Sequence, residues 1–233
     1  QLLTGPFAHC TIRWGLTGTV PKEDYNQKSL SVSIGQVAHR ISASELQDKG
    51  ILANCHVNII QTEDFVAYKT YQEEQKYLTT TKTRMGFVAN EIKDIAQSGN
   101  TLILVNYVKT GELLEELIDD AVFVSGKTKV QDRKEEYDEI KTASNKIIIA
   151  TYGVAAVGIN IPRIFNLVLI EPGKSFVRVI QSIGRGIRKA QDKDHVQIWD
   201  ITSTAKFAKR HLTARKKFYK EANYPYTITK KEN

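Results

Sequence analysis

Thr101-Leu102-Ile103-Leu104-Val105-Asn106 is a continuous apolar run closed by a polar residue, and it reads as a strand buried on both faces. Working outward, residues 84–97 carry apolar side chains at helical spacing and stop at Gly99-Asn100. Downstream, the pattern predicts a helix over 111–118, a strand over 121–124 and a helix over 130–141. It continues with a strand over 146–150, a long loop, a strand over 166–170, a helix over 175–188 and a last strand over 195–201. Short apolar strands alternating with helices predict an α/β fold, a parallel sheet with helices on both faces. Residues 101–201 form one such domain, extended by a strand over 56–62.

Further toward the N-terminus the pattern weakens. Residues 13–16 predict a short strand that ends in Thr17-Gly18-Thr19, and Pro21 with the polar run to Ser31 breaks it. Residues 35–41 predict another strand, 42–50 a helix stopped by Gly50, and 68–78 a further helix. The segment before Ser31 reads as belonging to something other than the sheet domain.

The chain has 233 residues, of which 41% are hydrophobic and 25% charged, and a formal charge of +7. That is globular composition. Nine basic and two acidic residues fall in 204–233, so the whole surplus sits there and the rest of the chain is neutral. A neutral body with a basic end predicts a polyanion contact at that end. Phe207, His211, Phe218, Tyr219, Tyr224 and Tyr226 interleave with those cations. The mixture suits either phosphate contact plus base stacking or a helix docked on the body with a solvated basic face. Cys10 and Cys55 are too few and too far apart for a disulfide framework or a zinc site, which points to a reduced, cytoplasmic setting. No apolar stretch approaches a membrane span. The chain starts at Gln1 and its only methionine is Met85, which fits a fragment of a longer protein.

Four stretches bear on chemistry. Gly126-Lys127-Thr128 looks like the end of a phosphate loop, but Ala121 stands where that loop needs its first glycine. No Asp-Glu pair ends an apolar strand, and no GxGxxG follows one. The chain alone is therefore expected not to hydrolyse ATP, and a dinucleotide-binding oxidoreductase is disfavoured. On a helix over 175–188, Phe176, Val179, Ile180, Ile183 and Ile187 share one face, while Gln181, Gly184, Arg185 and Arg188 share the other. Two guanidinium forks on one stripe suit a polyphosphate. A solvated charged face is the alternative, although a glycine inside such a helix costs up to about 1 kcal/mol. The loop over 151–162 leaves the carboxyl end of a strand, where parallel sheets bind ligands; its glycines and the polar Thr151 and Asn160 permit close approach, and a plain connection is the alternative.

Taken in order, these pieces resemble the C-terminal, RecA-like lobe of a superfamily-two helicase, a relative of the P-loop NTPases. Gln181-Ser182-Ile183-Gly184-Arg185-Gly186-Ile187-Arg188 is similar to the family's QxxGRxxR motif. Residues 151–162 resemble its ATP-linked loop, with Asn160 where most relatives carry Asp. Residues 102–107 resemble its fourth motif, Ser125-Gly126 a strand end that touches nucleic acid, and Gly15-Leu16-Thr17-Gly18-Thr19 its third motif. Thr70-Tyr71-Gln72-Glu73-Glu74 and Tyr152-Gly153-Val154 further resemble recombination helicases of T-even phages.

The resemblance implies three parts: residues 1–31, the end of a first motor lobe and a linker; 32–203, the C-terminal lobe; and 204–233, a basic aromatic extension. It implies ATP and Mg2+ as cofactors, held mainly by a first lobe that carries the phosphate loop. Arg185, Arg188 and Gln181 would be catalytic, and Gly158, Asn160 and Gly184 would bind ATP. Asn106, Tyr107, Ser125, Gly126, Thr151 and Gly153 would hold nucleic acid, and Thr17, Gly18 and Thr19 would couple the lobes. The implied partner is DNA, branched or single-stranded, with no metal site on this chain itself. An RNA helicase lobe and a non-catalytic nucleic-acid-binding fragment are the alternatives.

Overall fold

A computed structural model describes residues 3, 5–17, 20, 24–50, 53–126, 128, 135, 142–156, 163–174 and 195–232. The described chain divides into two compact units, residues 1–42 and 43–233.

In the first unit, α1 spans Asp24–Ser33 and buries none of its residues. The sequence reading placed no helix there and took the polar stretch to Ser31 only as the end of the preceding strand. Residues 13–16 and 35–41 are not strands. A strand needs a ladder partner for its amide and carbonyl groups, and the described residues of this unit offer none. Arg13 instead gathers the chain around itself. Its Nη1 donates to the Ser33 carbonyl at 2.8 Å and its Nη2 to the Ala8 carbonyl at 2.7 Å. Trp14 and Leu16 stay exposed.

The second unit begins with α2 (Ala43–Asp48) and is built on β1 (Asn54–Glu63), β2 (Thr101–Val105), β3 (Ala121–Val124), β4 (Ile147–Thr151), β5 (Asn166–Ile170), β6 (His195–Ser203) and β7 (Tyr226–Glu232). These pair in the order β3-β4-β2-β5-β6-β1-β7, and every pairing is parallel. The expected α/β class therefore holds, and so does the addition of β1 to the sheet. The strand over 195–201 is not the last, however. β7 continues the sheet beyond it, as a half-polar edge strand whose alternation is too weak to read from the sequence.

The period-two alternation of each strand sends side chains to two separate cores. Leu102, Leu104, Leu167, Leu169 and Ile198 join one. Ile103, Val105, Ile149, Val168 and Ile201 join the other. The second core is covered by α4 (Lys82–Ala96), through Met85, Val88 and Ile92, and by α5 (Val108–Leu117), through Leu114. The first is covered by α7 (Lys206–Glu221), through Leu212 and Tyr219, and by the short α6 (Tyr152–Ala156), through Tyr152 and Ala155. Gly111 lets α5 sit on β3, since a Cβ there would lie 2.2 Å from the Phe123 ring.

Helix boundaries follow local signals. Thr70 caps α3 (Tyr71–Thr80) with a full capping box to Glu73, and α4 gives way to Gly99 at φ +139°. The loop predicted after β4 opens instead with α6, whose Val154 amide is bonded by the Thr151 hydroxyl at 3.4 Å. The helices predicted over 130–141 and 175–188 lie outside the described residues, apart from Glu135. No described helix is long and apolar enough to cross a membrane.

Candidate nucleic-acid interface

All strands run the same way, so their carboxyl ends share one edge. β3, β4 and β2 are consecutive neighbours, with Val124 opposite Ala150 and Val105 opposite Thr151. This brings Asn106, Tyr107, Ser125, Gly126, Thr151 and Gly153 together on that edge, from three segments distant in sequence. Tyr107, Gly126 and Gly153 are exposed, Asn106 and Thr151 are half-buried, and Ser125 is buried. A Cβ at Gly126 or Gly153 would meet nothing within 4 Å, so both glycines leave open approach to the backbone.

The polar side chains here also serve the fold. The Ser125 amide donates to the Thr128 hydroxyl at 3.0 Å, and the Thr128 amide returns a bond to the Ser125 carbonyl at 3.1 Å. Ser125 and Thr128 thus bond each other in both directions just after β3. Asn106 donates through Nδ2 to the Glu171 carbonyl at 2.8 Å. The structure describes Thr17 in the first unit, whereas Gly18 and Thr19 lie outside the described residues. So do Gly158, Asn160, Gln181, Gly184, Arg185 and Arg188. Among the described residues, no group of three or more His, Cys, Asp or Glu side chains could hold a metal ion.

The other half of the edge carries residues that sequence reasoning missed. Beyond β5, β6 and β1, Arg84 of α4 is buried between two carboxylates. Its Nε lies 3.2 Å from Asp64 and its Nη2 2.8 Å from Glu171, while Nη1 donates to the Leu78 carbonyl. Thr202 donates to the second Glu171 oxygen at 3.1 Å, and Gln75 donates to the Glu171 carbonyl at 3.3 Å. Burial pushes the Glu171 carboxyl up to about 7, against the pull of Arg84 and Arg215. Desolvation of the buried carboxylate dominates, and the nearby Asp200 charge adds to it.

A second buried cluster ties α7 to β6. Arg215 grips Asp200 with Nε at 2.7 Å and Nη2 at 2.9 Å, and Tyr219 donates to the same carboxylate at 2.7 Å. Arg215 also donates through Nη1 to the Gly173 carbonyl at 2.7 Å. Nearby, His211 is buried and ringed by Arg215, Lys174 and Arg210; burial first, then those cations, lower it to about 4. Buried Glu74 accepts from the Phe207 and Ala208 amides at 3.0 and 2.7 Å, capping α7 from α3. A signal existed for two of these acids, since Glu171 follows the apolar run over 167–170 and Asp200 stands between Trp199 and Ile201. Their partners lie outside any local repeat, Arg215 15 residues from Asp200 and Arg84 87 from Glu171, and cannot be read from spacing.

A seven-stranded parallel sheet with helices on both faces is the fold of the RecA-like lobes in solved helicase structures. Residues 83–190 match the family described as the helicase conserved C-terminal domain. It is 27% identical over 227 residues to the ATP-dependent DNA helicase uvsW of Enterobacteria phage T4, an alignment spanning 93% of this chain and 45% of that protein. It is 27% identical over 146 residues to a putative ATP-dependent RNA helicase of Acanthamoeba polyphaga mimivirus, covering 61% of this chain and 28% of the relative. The crystal structure of T4 UvsW superposes with a TM-score of 0.66 at 23% identity, over 78% of this chain and 42% of that one. A fragment of a putative HsdR subunit of a type I restriction enzyme from Vibrio vulnificus superposes with a TM-score of 0.70 at 16% identity, over 92% and 43%. The chain spans less than half the length of the curated relatives it matches.

Proposed function

We propose that this chain is the C-terminal half of an ATP-dependent DNA helicase or translocase that remodels branched DNA. The observation that carries the reading is the meeting of Tyr107, Gly126 and Gly153 at three adjacent strand ends. Exposed backbone and small side chains on one edge suit a nucleic-acid backbone, which is held by contacts blind to sequence. The likeness to a phage DNA helicase supports DNA as the substrate.

In this reading ATP and Mg2+ lie against a first lobe of the same protein, and this lobe contributes from its side. Arg188 is the finger that stabilises charge on the transferred phosphoryl group, a role worth roughly 10³–10⁵ in rate in GTPases. Arg185 acts beside it, and Gln181 orients water or holds Arg185. Gly158, Asn160 and Gly184 border the nucleotide, and Thr17, Gly18 and Thr19 couple the lobes. Closing and opening of the lobes then steps the strand-end track along DNA.

Arg188→Ala in the complete two-lobed protein is expected to abolish DNA-stimulated ATP hydrolysis while leaving the far-UV circular dichroism and melting temperature in place. Near-normal turnover would remove the finger assignment. The mimivirus relative, named as an RNA helicase, favours a second reading in which the track holds RNA. Comparing affinity for DNA forks and for RNA of matched sequence decides between the two.

A further inference from the structure

The basic surplus of the last thirty residues is not a loose tail. Seven of its nine basic residues lie on α7: Arg215 buried, Lys216 half-buried and a row of exposed ones, Lys206, Lys209, Arg210, Lys217 and Lys220. Their spacing places them within an arc of about 120° on the helix, along about 21 Å of its length. Among the described residues, none of these five forms an ion pair. The opposite face is fully used, since Ala208, His211, Leu212, Arg215 and Tyr219 are buried on the body.

Helix stability does not account for this row. Cations stabilise the last turn of a helix and oppose the partial positive charge of the first, by about 0.3–1 kcal/mol each. Lys206, Lys209 and Arg210 stand at the beginning of α7, the disfavoured end, and the first turn holds no acidic residue of its own. Its free amides must borrow the Glu74 carboxylate from α3. A membrane surface is also a poor fit, because a helix lying on lipid needs a free apolar face, and this one is docked.

The row contains no free stacking surface either. Tyr219 and Tyr224 are buried. The Phe207 ring is flanked by Lys206 and Arg210 at 5.4 Å each and meets Tyr71 edge-on at 6.4 Å. Proteins that hold single strands without regard to sequence stack bases on aromatic rings. A rigid line of cations without such rings instead matches phosphates fixed in a duplex.

We propose that the exposed face of α7 is a second nucleic-acid site that grips the phosphate backbone of double-stranded DNA, beside the strand-end track. The inference rests on the nucleic-acid reading above. It assigns the two surfaces different substrates: duplex arm on α7, translocating strand at the sheet edge.

The test is a fluorescence-anisotropy titration of the chain against a labelled blunt duplex and an oligothymidylate of equal length, between about 50 and 200 mM salt. The variant replaces Lys206, Lys209, Lys217 and Lys220 by Gln; a companion replaces the same four by Arg. Counterion release contributes about 0.9 to the salt slope per phosphate contact. The Gln variant should therefore lose roughly 3.6 from the duplex slope and weaken duplex binding at least tenfold, with the oligothymidylate slope unchanged. The Arg variant should bind like the parent. An unchanged duplex slope overturns the site, and an equal loss on oligothymidylate overturns its duplex assignment. Failure of the parent chain to bind either probe overturns the nucleic-acid reading itself.

Discussion

The carboxyl edge of the sheet has two halves built from equivalent strand ends, and they do opposite things. Past β3, β4 and β2 the backbone turns away under small or exposed residues. Past β5, β6 and β1 the same positions are packed with Arg84, Asp64, Glu171 and Thr202, and α7 locks on through Arg215 and Asp200. Carbonyl groups at strand ends need partners in either case. In the sealed half, buried side chains supply them, at the cost of desolvating charge. In the open half they are left to turns and to whatever binds there. The halves adjoin along the β2–β5 ladder, and beyond it Asn106 of the open side donates to the Glu171 carbonyl of the sealed side.

The contrast predicts that stability is lost mainly from the sealed half. Arg215→Met strands the Asp200 carboxylate in the core, and removing one partner of a buried pair costs about 3–5 kcal/mol. Urea unfolding should register that loss; a change below about 1 kcal/mol would mean that water reaches Asp200 and the half is not sealed.

A smaller, pH-dependent effect is expected at Glu171. The carboxyl titrates near 4.5 in the unfolded chain and near 7 in the fold. The folded state therefore holds the extra proton between these values, and the group's contribution is full below 4.5 and lost as pH rises through 7. His211 acts in the opposite sense. Its folded value near 4 lies below the unfolded 6.5, so its contribution is present above 6.5 and lost as pH falls toward 4. The two offset each other over the same window. Glu171→Gln should unmask the histidine, giving a steeper fall in melting temperature from pH 7 to pH 5 than the parent shows. An identical pH profile would remove Glu171 as the protonated partner.

The least effect on stability is expected in the open half. Gly153 lies within α6, with open space around it and a φ that other residues adopt. Gly153→Ala should hold stability level or raise it by up to about 1 kcal/mol through helix propensity. The added methyl should meanwhile weaken nucleic-acid binding several-fold by keeping the backbone at a distance. Unchanged affinity would take Gly153 out of the track.

Legibility in the sequence follows the same division. The central strands are apolar on both faces, so their runs stood out, and 121–124 and 166–170 are predicted without error. The strand ends were found because they follow those runs immediately. β7 was missed because an edge strand buries little and shows no clear alternation. The strands expected near Arg13 and at 35–41 failed because a propensity does not make a strand without a neighbour. The buried clusters were missed because Arg84 with Glu171, and Arg215 with Asp200, are ordinary charged residues until the fold brings them together. The aromatic residues at the end of the chain left base stacking and docking on the body as alternatives, and α7 docks, burying Tyr219, with Tyr224 buried just beyond it.

By itself, then, the sequence determined the parallel α/β architecture, the helicase motifs and the place of the excess charge. Hydrophobic period and motif spacing are local properties of the chain. The tertiary structure decided which strand ends are open and which are sealed, that Arg215 belongs to the core while its neighbouring lysines face water, and that the Glu171 carboxyl is pushed up to about 7. Each of those depends on desolvation and on partners distant along the chain. Only the packed fold sets either one.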